Sequence, residues 1–134
     1  MKSRYFSFPI KSREVFELIP DSVTLVETIN LSGRRPALLV LDMQEFFLNA
    51  DSHAIVPSAP SILPGIVELS LRFVEYGYPV VFTQHLNDPH TAGMMASWWK
   101  DMIRHDHPHA SLHPDLPADL GLVVPKGQYD AFFD

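Results

Sequence analysis

The residues best suited to chemistry in this sequence are Asp42, which ends the apolar run Ala37-Leu38-Leu39-Val40-Leu41, and Lys126, two residues past Gly121-Leu122-Val123-Val124. A carboxylate and an ammonium held together in a partly dry crevice shift one another's protonation and can share proton transfer. The spacing also allows a plainer reading, an ion pair at a sheet edge with no catalytic role, because paired charges at strand ends are common without catalysis. A third polar group, Thr83-Gln84-His85, follows the apolar run Tyr78-Pro79-Val80-Val81-Phe82. His85 could face the same crevice or bond to nearby backbone, as a histidine at a strand end does either way.

Three elements must position these groups. Each apolar run is short and lacks a polar face, the pattern of a parallel strand covered by helices. Between the first two runs, Ile62, Ile66, Leu69, Phe73 and Tyr76 recur at alternating spacings of four and three, which predicts a helix with those residues as its buried face. Ser61 suits its N-cap, Pro64 then falls in the tolerant first turn, and Gly77 suits the left-handed position that closes it. A right-handed crossover sets the second strand parallel beside the first. Met94, Met95, Trp98, Trp99 and Met102 lie at helical spacing within Thr91 to Ile103 and predict a second helix, buried in the core or at a subunit interface. The order is strand, helix, strand, helix, strand: an α/β fold whose ligand crevice lies at the C-terminal strand ends, lined by Asp42, Thr83-Gln84-His85 and Lys126. Residues 1 to 35 read as an N-terminal arm against a domain running from 36 to 134.

Composition narrows the function classes. A chain of 134 residues with 46% hydrophobic residues fits one domain, and its net charge of −6 without a basic stripe argues against nucleic-acid binding. Its apolar runs fall far short of the ~20 residues of a membrane span. The first twenty residues have neither a sustained apolar core nor a small-residue cleavage site, so a cytoplasmic protein is expected. Cysteine is absent, which excludes disulfides, cysteine zinc sites and any thiolate within this chain. Six of the seven histidines lie between His85 and His113, most densely in Arg104-His105-Asp106-His107-Pro108-His109, yet a Pro-broken loop lacks the rigid ligand framework of a functional metal site. Asp51-x-His53 takes the same discount, and no metal or cofactor is expected.

Three local words carry more: Leu39-Val40-Leu41-Asp42-Met43-Gln44-Glu45-Phe46-Phe47, Val80-Val81-Phe82-Thr83-Gln84-His85, and Val123-Val124-Pro125-Lys126-Gly127-Gln128-Tyr129-Asp130-Ala131-Phe132. In that order, around a strand-helix-strand unit, they resemble the isochorismatase-like cysteine hydrolases from about Pro36 to Asp134, and Gly93-Met94-Met95-Ala96-Ser97-Trp98-Trp99 is similar to a helix in one branch of that family. The resemblance implies a Rossmann-like parallel sheet, cut after its third strand, and an Asp-Lys-Cys triad. Asp42 would take the nucleophile's proton, Lys126 would hold the carboxylate, and the cysteine has no counterpart here. It also implies that Gln44, Phe47, His85, Tyr129 and Phe132 lie near the substrate, with core packing equally open for Tyr129 and Phe132. The nicotinamidase branch has an Asp-x-His metal pair where this chain has His85-Leu86-Asn87, so the ligand types differ. The activity the resemblance implies is that of a small-molecule hydrolase cleaving C–N amide bonds, often oligomeric in the family. The alternatives are an isochorismate-type vinyl ether hydrolase that needs no cysteine and a non-catalytic binding remnant.

Overall fold

The computed structural model describes residues 33–99 and 101–132. The expected arm therefore lies almost wholly outside the described residues. Three strands, β1 (Leu38–Val40), β2 (Val80–His85) and β3 (Leu122–Lys126), form a parallel sheet in the order β1-β2-β3. Leu38 pairs with Val80 and Val40 with Phe82, while Phe82 pairs with Val123 and His85 with Lys126. The helices are α1 (Glu45–Leu48), α2 (Ala59–Glu75) and α3 (Met95–Trp98), with one 3-10 turn at Ala118–Leu120. None of the described helices is long and apolar enough to cross a membrane.

Helix α2 is the crossover between β1 and β2. It starts at Ala59 with Ser58 at the N-cap position, three residues earlier than the Ser61 cap expected, and with Pro60 in its first turn. Pro64 consequently sits inside the helix, where its missing N–H forgoes one backbone bond. The C-terminus closes as a Schellman motif: Gly77 N–H bonds the Val74 carbonyl at 2.9 Å, Tyr78 N–H bonds Phe73 at 2.8 Å, and Gly77 has φ +72°. The Phe73 and Tyr78 rings meet edge-on across it at 5.9 Å.

The buried face of α2 differs from the expected one. Ala59, Leu63 and Ser70 are buried, with Ile66, Val67, Phe73 and Val74 packed on the core, whereas Ile62, Leu69 and Tyr76 are exposed. Ile62, Ile66 and Leu69 line an apolar hollow with Leu39 and Leu41 beside β1, which has one strand neighbour among the described residues. The periodicity thus combined two apolar stripes, one on the core and one on this flank. Ser70, fully buried, donates its hydroxyl to the Ile66 carbonyl at 2.7 Å and so needs no partner outside the helix.

Two apolar clusters support the strand ends. Val40, Met43, Leu48, Ala59, Leu63, Val80, Phe82 and Leu116 form the larger. Phe46, Ile103 and Ala110 form the smaller, against Phe47, Leu86 and Trp99. The second expected helix is a single turn: Trp99 leaves it in an extended conformation at ψ 124°. Met95 is buried and Trp99 packs on the smaller cluster, but Met94 and Trp98 are exposed. Helical spacing there reflected alternation around a loop, because Pro- and His-rich sequence follows immediately.

Gly121, just before β3, packs directly against β2. A Cβ there would lie 2.7 Å from the Val80 carbonyl oxygen and 2.7 Å from the Phe82 ring. Gly121→Ala is expected to lower stability by about 1–3 kcal/mol, the usual cost of overpacking. Urea denaturation of the variant beside the parent checks this; an unchanged midpoint would show that the strand yields freely.

Candidate active site

The site begins where β1 stops. Asp42 has φ +52°, in the left-handed region that Asp enters more readily than most residues. The turn continues with Gln44 N–H bonding the Asp42 carbonyl at 2.7 Å. Such a conformation costs of order 1–3 kcal/mol and persists only when its surroundings over-determine it. Thr83, 1% exposed on β2, does so. Its Oγ1 accepts the Asp42 N–H at 3.0 Å and donates to Asp42 Oδ1 at 2.6 Å. One hydroxyl thus fixes both the backbone and the carboxylate.

Lys126, the last residue of β3 rather than a residue beyond it, supplies the opposite charge. Its Nζ lies 2.8 Å from Asp42 Oδ2 with the lysine side chain 5% exposed and the aspartate side chain 29% exposed. The ammonium also donates to the carbonyls of Gln128 at 3.1 Å and Tyr129 at 3.5 Å. β2 separates β1 from β3, so the two charges come from strands that are not neighbours. The long lysine side chain spans the end of β2. A buried ammonium needs such an anion and carbonyl shell, since an unpaired one would shed its proton.

Gln44 does not face this crevice. It is fully buried, its amide nitrogen donates to the carbonyls of His85 at 3.0 Å and Ala110 at 2.6 Å, and its oxygen accepts His85 N–H at 2.7 Å. Both donors and the acceptor are spent on backbone, so Gln44, expected near the substrate, brackets α1, β2 and the loop at Ala110. Phe132 is 86% exposed and lines neither cavity beside Asp42. Phe47, His85 and Tyr129 do line the cavity at Asp42, together with Asn87, Met95, Trp99 and Ile103. That cavity holds about 30 Å³, and an open cleft of about 400 Å³ adjoins it through Met95, Trp99 and Tyr129. Trp99 Nε1 donates to the Tyr129 hydroxyl at 3.0 Å, closing the aromatic wall. Sequence reasoning missed Asn87, Met95, Trp99 and Ile103 as walls; Trp99 and Ile103 come there only through the loop that carries them over Phe46.

His85 is buried at the cavity floor. Burial of its ring, then the Lys126 ammonium, hold its pKa below the ordinary 6.5, against the opposing pull of the Asp42 carboxylate and the Gln128 carbonyl. Among the described residues no group of three or more His, Asp or Glu could hold a metal ion. His107 instead stacks edge-on against Phe46 at 5.2 Å and meets Asp101 at 3.1 Å.

Parallel strands with a carboxylate-ammonium pair at their carboxyl ends, beside an aromatic cleft, define an α/β protein with its site in the position typical of open sheets. The chain belongs to the isochorismatase family: residues 36–134 match the Isochorismatase domain. Solved structures share the fold. A cysteine hydrolase from Pseudomonas syringae pv. phaseolicola 1448A is 23% identical with a TM-score of 0.71, covering 79% of this chain and 52% of its own. N-carbamoylsarcosine amidase from Thermoplasma acidophilum is 22% identical with a TM-score of 0.64, covering 74% of this chain and 56% of its own. A pyrazinamidase of Pyrococcus horikoshii, solved in complex with zinc, is 27% identical with a TM-score of 0.55, covering 69% and 52%. This chain thus spans little more than half the length of these neighbours. No curated protein matches it.

Two outcomes are expected from the geometry. Thr83→Val keeps the shape of the side chain but strands the Asp42 N–H and Oδ1, and should lose about 1–3 kcal/mol by urea denaturation, with Thr83→Ser retaining most of it. Parity of the valine variant with the parent would remove Thr83 as the clamp. For His85 the folded state binds fewer protons than the unfolded chain between the lowered value and 6.5, so its contribution to stability declines as pH falls through that window. His85→Gln should therefore flatten the loss of stability between about pH 7.5 and pH 5.5 in urea titrations. An equally steep loss in the variant would assign that loss to other groups.

Proposed function

We propose that this chain carries the proton-accepting and electrostatic part of a small-molecule hydrolase that cleaves a C–N amide bond. The observation that supports this most directly is the Asp42–Lys126 pair at 2.8 Å on the rim of an aromatic cleft, at the carboxyl ends of the strands. Asp42 Oδ1 is engaged by Thr83 and Oδ2 by Lys126, and each oxygen keeps a lone pair for an incoming proton. An ion-paired carboxylate aimed at a cavity is the arrangement a general base needs.

In this reading a thiol from polypeptide outside these 134 residues gives its proton to Asp42 and attacks the amide carbonyl. The C–S bond forms, the C–N bond breaks with the amine leaving protonated, and water then hydrolyses the thioester. Lys126 keeps the carboxylate in place and counters the negative charge that develops beside it. Phe47, Trp99 and Tyr129 exclude water and stack on the acyl group, and His85 forms the floor. A second reading, isochorismate-type vinyl ether hydrolysis, calls on no thiol: Asp42, once it has taken up a proton from water, gives it to the alkene carbon, and water adds to the resulting cation to complete the cleavage.

The test uses the whole product of the reading frame that encodes this sequence, with ammonia release measured over a panel of small amides and carbamoyl compounds. Asp42→Asn is expected to reduce turnover by about 10²- to 10⁴-fold, the usual worth of a positioned base. Lys126→Met should cause a loss of the same order. Undiminished turnover in either variant would overturn the mechanism, and pyruvate from isochorismate without ammonia from any amide would select the vinyl ether reading.

A further inference from the structure

Asn87 has no part in the proposed hydrolysis, yet it is 3% exposed and both ends of its amide are engaged. Its Oδ1 accepts the Ile103 backbone N–H at 3.1 Å, and its Nδ2 lies 2.9 Å from His85 Nε2. The Ile103 N–H can only donate, so it fixes which end of the amide is oxygen. The end turned to His85 is therefore the NH₂ group, also a donor. His85 Nε2 must then be the unprotonated nitrogen, and the ring proton resides on Nδ1. Turning the amide over would favour a protonated ring instead, but would set the Asn87 NH₂ against the Ile103 N–H.

The other side of the ring faces Lys126, whose Nζ lies 3.4 Å from Nδ1, at the long end of hydrogen-bond range. That ammonium has better acceptors in Asp42 Oδ2 at 2.8 Å and the Gln128 carbonyl at 3.1 Å, so it does not require the Nδ1 lone pair. The charged groups facing the ring are Lys126 on β3 and Asp42 after β1, and the Tyr129 ring lies 6.4 Å away. A second proton on the imidazole would have to enter at Nε2, against the Asn87 NH₂. It would also place a second cation next to Lys126, competing for the one carboxylate both could reach.

We propose that Asn87 is a positioning residue, which the Ile103 N–H orients to hold His85 as the neutral Nδ1–H tautomer, so that Lys126 remains the only cation on Asp42 among the described residues. The proposal deepens the hydrolase reading by saying why a histidine at the cavity floor leaves the carboxylate to one partner. It assigns His85 no proton transfer. The tautomer is measured without turnover, so failure of the hydrolase reading and failure of this one are separable.

The experiment is long-range ¹H–¹⁵N correlation spectroscopy on the full chain with ¹⁵N-labelled histidine, with His85 assigned by comparison with His85→Gln. The expected parent spectrum shows Nε2 unprotonated and Nδ1 protonated, and the ring stays neutral below its ordinary midpoint. Asn87→Asp replaces the donor with a carboxylate acceptor and is expected to raise the His85 midpoint by about one unit or more, roughly tenfold in proton affinity. A parent His85 with its proton on Nε2, or doubly protonated near neutral pH, overturns the proposal. So does a folded Asn87→Asp variant with an unmoved midpoint. If that variant does not fold, the parent tautomer alone decides.

Discussion

A lysine side chain only 5% exposed sets the terms for everything around it. An ammonium taken out of water must find an anion and enough acceptors, or it loses its proton. Lys126 ends β3, and the carboxylate it needs follows β1, one strand further away. For Asp42 to reach it, the chain must turn sharply after Val40, which is what φ +52° accomplishes. That conformation is unfavourable by itself, and the Thr83 hydroxyl on the intervening strand compensates by holding the N–H and the carboxylate together. The charge pair, the strained turn and the threonine are therefore one unit spread over three strands.

A second polar unit lies beneath it and does a different job. Gln44 ties the start of α1 to the backbone at His85 and Ala110, and the Ala110 carbonyl also accepts from the Gln84 side chain at 3.0 Å. These bonds hold the loop after α3 against the sheet, where Ile103 and Ala110 pack on Phe46. The same loop brings Trp99 to the cavity and the Ile103 N–H to Asn87. A bond network in the interior thus determines both the aromatic wall and the orientation of the one amide that faces His85. Buried and fully satisfied, such a network specifies a single arrangement because any slip leaves polar groups unpaired.

The parallel strands and the ends that carry Asp42 and Lys126 were legible because strands buried on both sides give short apolar runs, and the polar residue that breaks each run is the one at the crevice. The family words fixed their order. What could not be read was direction. Gln44 and Thr83 are both polar residues near strand ends, yet one serves the fold and the other the carboxylate, a difference that depends on which way each side chain points. The helix face was misjudged because Ile62 and Leu69 continue the apolar period of α2 onto a flank that the core does not use. The Met and Trp segment gave a helical period over one turn of real helix, since the following loop folds Trp99 back by other means. The roles of Asn87 and Ile103 were invisible because they rest on a backbone N–H.

The exposed apolar flank of β1 leaves the site intact. Leu39, Leu41, Ile62 and Leu69 are each more than 40% exposed, on the side of the sheet away from β2. Every group that holds Asp42 lies on the opposite side: the Thr83 hydroxyl on β2, the Lys126 ammonium on β3, and through it the Gln128 and Tyr129 carbonyls. Covering the flank would remove apolar surface from water and add stability in proportion to its area. It would leave the distances within the cluster to the same three strands that fix them now. The carboxylate and its partners are thus set by contacts among the ends of β1, β2 and β3 and the turns that follow them, and the cleft that opens past Met95 and Tyr129 adjoins the cavity that Asp42 lines.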